Sequence, residues 1–335
     1  MGLLKLLKTK NTKTCFTTPS HSGRFCLVHK FYQWYRADIS EIEALDPQKA
    51  LYNAEIRAAA IYGTKYTKFL TNGSTSGVIT AILASKPNRI LIWDEAHPCH
   101  ENGAILCGAE IIKYRLPLDE ELGLYKAISL DLIKHLIKKN QPDTLVITSP
   151  TYEGFVADVK SISDFCHANN VTLIVDEAHG ALYPFSESLP ESAVRYADFT
   201  VQSLHKTAGG INPTALLHSN NIDPSKTLEM ITTTSPSYPM LATIEKNINF
   251  LNSARGKKHI EELITNIKSL GLTQLNDDPT KILLNGGKEL SETLFNDYDI
   301  EDELTNSKTT MLLCGIGTDL KKLTRLKKAL RNISF

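Results

Sequence analysis

Between about residue 65 and residue 220, short β-branched runs alternate with longer amphipathic ones, and this alternation constrains the fold more than any other feature of the chain. Short strands joined by helix-length crossovers build a parallel sheet covered on its faces. The predicted strands are Arg89 to Trp93, Glu110 to Tyr114, Thr144 to Thr148, Thr172 to Val175, Phe199 to Gln202 and Thr214 to His218. Between them Leu130, Ile133, Leu136 and Ile137 form one helical apolar face, and Ile162, Phe165, Cys166 and Ala168 form most of another. After about Pro239 the pattern turns helical through Leu251 and again from Ile260 to Leu270, before shorter elements at Lys281 to Leu284 and Thr310 to Gly315. These shifts divide the chain into an N-terminal segment (1–60), a large α/β domain (61–250) and a small C-terminal α/β domain (251–335).

The composition fits a globular protein: 37 Lys and Arg balance 37 Asp and Glu, and 42% of the 335 residues are hydrophobic. That excludes a disordered chain, a fibre and a small disulfide scaffold. A net charge of zero gives no global field to attract a polyanion, so nucleic acid is not an expected partner. Lys321-Lys322 and Arg325 to Lys328 read as a solvated helix face. The six cysteines form no C-x-x-C pair, and reduced thiols are expected. The apolar patch Leu3 to Leu7 is too short for a signal sequence, and Leu6 stands where a myristoylation motif needs Ser or Thr. No apolar run reaches the roughly 18 to 20 residues of a membrane span, so a cytoplasmic protein without membrane contact is expected.

In an open parallel sheet, ligands bind beyond the carboxyl ends of the strands. Four such places carry chemistry. Asn72-Gly73-Ser74-Thr75-Ser76-Gly77 precedes a helical run, Val78 to Ala84, and combines small residues, hydroxyl donors and a helix N-terminus. A phosphate suits it, although no Gly-Lys-Ser/Thr follows to make a triphosphate loop, and an ordinary helix cap explains it equally well. Asp176 ends the run Thr172 to Val175, where a carboxylate can pair with a cation, ligate a metal, act as a base or simply cap a helix; Glu177 should point away. Lys206, in Gln202-Ser-Leu-His-Lys-Thr207, is flanked by apolar Val201 and Leu204, and Ala208-Gly209-Gly210 should leave room for a ligand. A partly desolvated lysine there can form an imine with an aldehyde, whereas most single lysines are surface groups. In Trp93 to His100, the His97-x-x-His100 spacing with Cys99 resembles a metal fragment, but three or four convergent ligands are needed and no others are in view. No metal is therefore expected, and His97 reads as an imidazole stacked on a planar ring.

A phosphate cradle, an acid and an amine after strands of one wound sheet meet the requirements of pyridoxal 5'-phosphate (PLP). The amine forms the imine, the acid pairs with the pyridine nitrogen, and the Gly-Ser-Thr turn holds the phosphate. With the nitrogen kept protonated, the ring delocalises a carbanion formed at the Cα of a bound amino acid.

The segments Phe69 to Gly77, Ala96-His97, Thr148-Ser-Pro-Thr-Tyr-Glu-Gly154, Asp176-Glu-Ala-His-Gly180, Gln202 to Thr207 and Thr232-Thr-Thr-Ser-Pro-Ser-Tyr238 together resemble the Orn/Lys/Arg decarboxylase family. Weaker likeness extends through Pro19-Ser-His21 and Asp38-Ile-Ser-Glu41. The resemblance implies a fold type I, PLP-dependent transferase-like large domain with a mostly parallel seven-stranded sheet and a shortened C-terminal α/β subdomain. It implies Lys206 as the Schiff-base lysine, Asp176 as the partner of the pyridine nitrogen and His97 as the stacking ring. Ser74, Thr75, Ser76, Ser203 and His205 would surround the phosphate, with Ala178 and His179 near the ring. Active sites of this family lie at a dimer interface, so a homodimer is implied, with Thr233 or its neighbours Thr234-Ser235 reaching the other subunit's phosphate. The implied reaction is decarboxylation of lysine, arginine or ornithine, with Lys206 and His205 as candidate proton donors.

The chain departs from the family pattern in three places. A segment resembling Tyr-Pro-Pro-Gly-Ile-Pro, which helps build the substrate pocket, does not occur; Thr207-Ala-Gly-Gly-Ile-Asn-Pro213 stands where a Thr-Gln pair is commoner; and Ser20 replaces a glycine. These bear on substrate recognition more than on cofactor binding. They leave a second reading, a PLP-binding homologue with little turnover or another fold type I activity such as an aminotransferase or lyase.

Overall fold

A computed structural model describes residues 2–10, 32–40, 42 and 44–333. Cys15, Cys26, the Pro19 to His21 segment with its Ser20 departure, and Glu41 lie outside the described residues. The principal sheet contains β1 (Tyr66–Leu70), β2 (Arg89–Trp93) and β3 (Glu110–Tyr114). After a two-residue ladder of β4 (Leu118–Asp119) and β5 (Leu124–Tyr125) come β6 (Thr144–Thr148), β7 (Thr172–Asp176), β8 (Phe199–Ser203) and β9 (Ala215–Ser219). Its seven strands run in the order β1-β9-β8-β7-β6-β2-β3. β9 is antiparallel to both neighbours and the other pairings are parallel. The six predicted strands are present within one residue at each end. β1 was not among them: Lys68 interrupts its apolar pattern, and the following turn dominated the reading of Phe69 and Leu70.

β6 and β7 carry the apolar runs Leu145 to Ile147 and Leu173 to Val175 because both faces of the sheet are covered. Side chains alternate between the faces. Leu145, Ile147, Leu173 and Val175 join one core with Ile133 and Ile162, whereas Val146, Ile174, Phe199 and Val201 join another with Val78 and Ile82. The first core lies under the helices Leu130–Asn140 and Val159–Ala168, capped by the side chains of Ser129 and Asp158. The second helix buries Val159, Ile162, Ser163 and Cys166. Ala168, expected on its apolar face, is exposed. It lies nine positions beyond Val159, half a turn out of phase at about 100° per residue. The helix Gly73–Ser85 covers the opposite face. A Cβ on Gly77 would stand 2.7 Å from Leu70 Cδ1 and 2.8 Å from Val201 Cγ1, so this glycine lets the helix seat directly on the sheet.

A second, antiparallel sheet of order β10-β12-β11 follows, with β10 (Lys281–Asn285), β11 (Leu304–Thr305) and β12 (Thr309–Leu313). The predicted elements at Lys281 and Thr310 are two of these strands. The helices Ala254–Lys268, Gly287–Tyr298 and Leu320–Asn332 accompany them. The last exposes Lys321, Lys322, Arg325 and Lys328 and buries Leu323 and Leu326, the solvated face foreseen from sequence. One apolar core includes Leu3, Tyr62, Leu182, Tyr238, Leu263, Leu312 and Leu330, and so runs through all three proposed divisions of the chain. Among the described residues no helix is long and apolar enough to cross a membrane.

Candidate active site

Asp176 closes β7 at the carboxyl end of the sheet, where its side chain is buried. One oxygen accepts the Ala178 amide N–H at 3.1 Å, and the other lies 3.0 Å from His100 Nε2. A carboxylate can only accept, so this imidazole nitrogen carries the proton. Burial alone would raise the Asp176 carboxyl, but the His100 hydrogen bond and charge, with Lys206 beyond, draw it below the usual carboxylate range. Glu177 faces away as expected. Its oxygens accept from Ser192 Oγ, the Ala193 amide and Gln202 Nε2 at 2.6 to 2.7 Å.

Lys206 follows β8 on the neighbouring loop, half-buried, with Nζ 2.9 Å from His179 Nε2. Burial lowers its pKa below that of an ordinary lysine. The nearby Asp176 opposes the fall and the buried Lys281 adds to it. His179 is itself buried, and desolvation with the charges of Lys281, Lys206 and His205 holds its ring well below the usual histidine range. A neutral His179 accepts at Nε2 from Lys206 and leaves Nδ1 without a partner among the described residues. The ring of Tyr152 stands edge-on to His179 at 4.6 Å.

His97 is exposed, with Nδ1 3.3 Å from the donating Cys99 amide and 3.0 Å from Cys99 Sγ. Accepting at Nδ1 assigns the neutral ring its proton at Nε2. Desolvation is the main cause of its lowered pKa, offset by Asp176. The premise that His97 and His100 lack further donors nearby needs correction. Cys99 Sγ, a His100 ring nitrogen and an Asp176 oxygen lie within 4.8 Å of one another. Spacing along one loop could not reveal the carboxylate, which arrives from β7. The Cys99 thiol, pushed up to about 12 by burial, is protonated at neutral pH, and Asp176 is already engaged by His100.

The hydroxyls of Ser203 and Thr207, on either side of the Lys206 turn, are buried and have no partner among the described residues. Each is a donor fit for a ligand oxygen. Ser74 is half-buried and Thr75 exposed at the N-terminus of the helix Gly73–Ser85, while Ser76 donates its hydroxyl to the Gly73 carbonyl at 2.8 Å. Gly73 lies at φ 75°, and a Cβ there would approach Pro213, which brings this turn beside the segment after Lys206. His205 Nδ1 donates to the Thr214 carbonyl at 3.2 Å, leaving Nε2 as its accepting nitrogen when neutral. Ala178 is buried between Asp176 and His179. Thr233 is exposed and borders a different hollow, with Lys68, Thr71 and Pro236.

Gly209 and Gly210 do not leave open room. A Cβ would meet Ile316 Cγ2 at 2.5 Å from the first, and Thr214 Oγ1 at 2.5 Å from the second. Sequence reading also missed His100, dismissed with the metal fragment, and the buried Asp278 and Lys281, which lie far along the chain in a segment without a motif signal.

The family model for the Orn/Lys/Arg decarboxylase major domain matches residues 3–283. The arginine decarboxylase of Bacillus subtilis is 29% identical over 89% of this chain and 68% of that protein. The solved constitutive lysine decarboxylase of E. coli superposes with a TM-score of 0.81 at 21% identity, over 99% of this chain and 60% of that one. An alanine–glyoxylate aminotransferase from Nostoc sp. superposes at 0.66 and 14% identity over 89% of this chain, so the fold is shared with fold type I aminotransferases. The chain thus spans 68% of the length of the Bacillus subtilis relative and 60% of the solved E. coli chain. With the family's major domain matched across most of its length and the same fold in the solved decarboxylases, this chain belongs to the Orn/Lys/Arg decarboxylase family.

Proposed function

We propose that the chain binds PLP at Lys206 and decarboxylates a basic amino acid, lysine, arginine or ornithine. The observation that carries this reading is the convergence at one sheet edge of an amine of lowered basicity, a buried carboxylate held ionised and two unpartnered buried hydroxyls. Lys206 would hold the cofactor through its aldehyde, and Asp176, kept anionic by His100, would pair with a cationic ring nitrogen. Ser203, Thr207, Ser74, Thr75 and the N–H groups opening the helix Gly73–Ser85 supply donors for a phosphate, with His205 beside them. His97 offers a ring face. The bound cofactor supplies an electron sink for the pair left behind as carbon dioxide departs. His179 holds the Lys206 amine by its Nε2, and Lys206 and His205 are candidates to hand a proton to the substrate carbon.

A homodimer is part of the proposal, since Thr233 lies on an exposed segment away from Lys206 and would serve a neighbouring subunit's phosphate. The deciding experiment incubates the chain with PLP, reduces with borohydride and maps the adduct by mass spectrometry. A phosphopyridoxyl group on Lys206 is expected, and modification elsewhere or none removes the reading. Carbon dioxide release is then assayed with arginine, lysine and ornithine. Arginine comes first because the Bacillus relative bears that name.

A further inference from the structure

Tyr152 donates its hydroxyl to Glu303 Oε1 at 2.5 Å, and this bond joins the turn after β6 to the small sheet. Backbone hydrogen bonds hold both partners in place. The Gly154 amide donates to the Thr151 carbonyl at 3.0 Å, so Tyr152 and Glu153 are the central residues of a tight turn in which Gly154 takes φ 99°. Glu303 directly precedes β11, and its amide donates to the Met311 carbonyl of β12 at 2.9 Å. Burial, with the Glu303 hydrogen bond and charge, raises the Tyr152 phenol above its usual range, so it stays the donor.

From this bond a chain of contacts runs inward to Lys206. The Tyr152 ring stands edge-on to His179 at 4.6 Å, and His179 Nε2 lies 2.9 Å from Lys206 Nζ. At the outer end Glu303 is exposed, and among the described residues only its Oε1 is engaged. The neighbouring carboxylates are already committed. Asp176 has one oxygen on His100 and the other on the Ala178 amide, and Asp278 holds Lys281 at 2.8 Å. Glu177 faces away toward Ser192 and Gln202, while Glu153 folds back on its own amide and the Thr151 hydroxyl. Glu303 Oε2 is the acceptor left open to a ligand that reaches outward from Lys206.

We propose that Glu303 is a specificity-determining residue that receives the cationic side-chain end of the substrate, with Tyr152 fixing Oε1 so that Oε2 is presented. This deepens the reading of Lys206 as the cofactor lysine and rests on it. A carboxylate already held by a hydrogen bond loses less freedom when it takes a cation. A neutral side chain of the same length would cover that carboxylate without pairing it, so discrimination comes from a penalty as well as from an attraction.

The test measures binding to the cofactor-free full chain by calorimetry, using reduced, unreactive phosphopyridoxyl amino acids in two pairs: arginine with citrulline, and lysine with norleucine. Members of a pair differ chiefly in the side-chain charge. The wild type should bind the basic member of at least one pair about fivefold tighter or more, and Glu303→Gln should erase that preference. Tyr152→Phe breaks the same hydrogen bond but keeps the carboxylate, so the preference should persist. A preference unchanged in Glu303→Gln, or lost equally in Tyr152→Phe, overturns the proposal. A wild type trapped by borohydride at Lys206 that shows no preference in either pair overturns this inference alone. Failure of both trapping and binding removes the cofactor reading and this inference with it.

Discussion

His100 and Asp176 meet through a single 3.0 Å contact between two buried side chains, one in the first turn of the helix Cys99–Cys107 and the other at the tip of β7. Replacing His100 with Leu leaves a buried carboxylate without its strongest partner. We expect the Asp176 pKa to rise, PLP retention measured by equilibrium dialysis to weaken by about tenfold or more, and stability to fall by about 3 kcal/mol. Retention equal to the wild type would show that Asp176 stays ionised without help.

Lys206 should be reactive at lower pH than the exposed lysines, because its free base appears once pH passes a lowered pKa. Competitive acetylation of the cofactor-free chain, read by mass spectrometry, measures this directly. Asp176 favours the ammonium, so Asp176→Asn should move the Lys206 profile to still lower pH. A shift toward higher pH contradicts the arrangement.

Gly154→Ala combines two penalties, a left-handed φ of 99° and a Cβ 3.0 to 3.1 Å from Asn276, Asp278 and Lys281. A loss of about 2 to 4 kcal/mol is expected in urea unfolding. Gly63→Ala shares a positive φ of 71° but has nothing within 4 Å, and should cost only about 1 kcal/mol.

His218 sits in the sheet with Nδ1 2.9 Å from Thr67 Oγ1 and Nε2 3.3 Å from Gln202 Oε1, and burial lowers its pKa to about 3. Between the ordinary histidine value of 6.5 and about 3 the unfolded chain binds a proton that the folded chain refuses. Stability should therefore fall on acidification through that window, by up to about 1.4 kcal/mol per pH unit from this residue. Denaturant midpoints at pH 7 and pH 5 measure the slope, and His218→Gln should flatten it.

The wound sheet was legible because strands covered on both faces carry apolar residues at consecutive positions, as Leu145 to Ile147 do in β6 and Leu173 to Val175 in β7. β1 escaped because it lies at the edge and carries Lys68, which pairs with Glu55 at 2.8 Å in a contact no local pattern encodes. Asp176 and Lys206 could be singled out because one ends a strand and the other follows one, and the carboxyl ends of parallel strands lie on one side of the sheet. Their partners His100 and His179 are different. A histidine shows its role only when folding brings its acceptor or donor within 3 Å, and the Asp278 to Lys281 pair reaches the site from about seventy residues further along. The glycines after Lys206 misled for the same reason, since Ile316 fills the space beside Gly209 and Thr214 that beside Gly210.

The carbonyl of Thr207 accepts the Ile316 amide at 2.8 Å, and a Cβ on Gly315 would strike the Thr207 backbone. The peptide next to Lys206 is therefore stitched to the strand-exit turn of the small sheet. The exit of β12 thus braces the turn that carries Lys206, and the two sheets are tied by backbone one residue from that side chain.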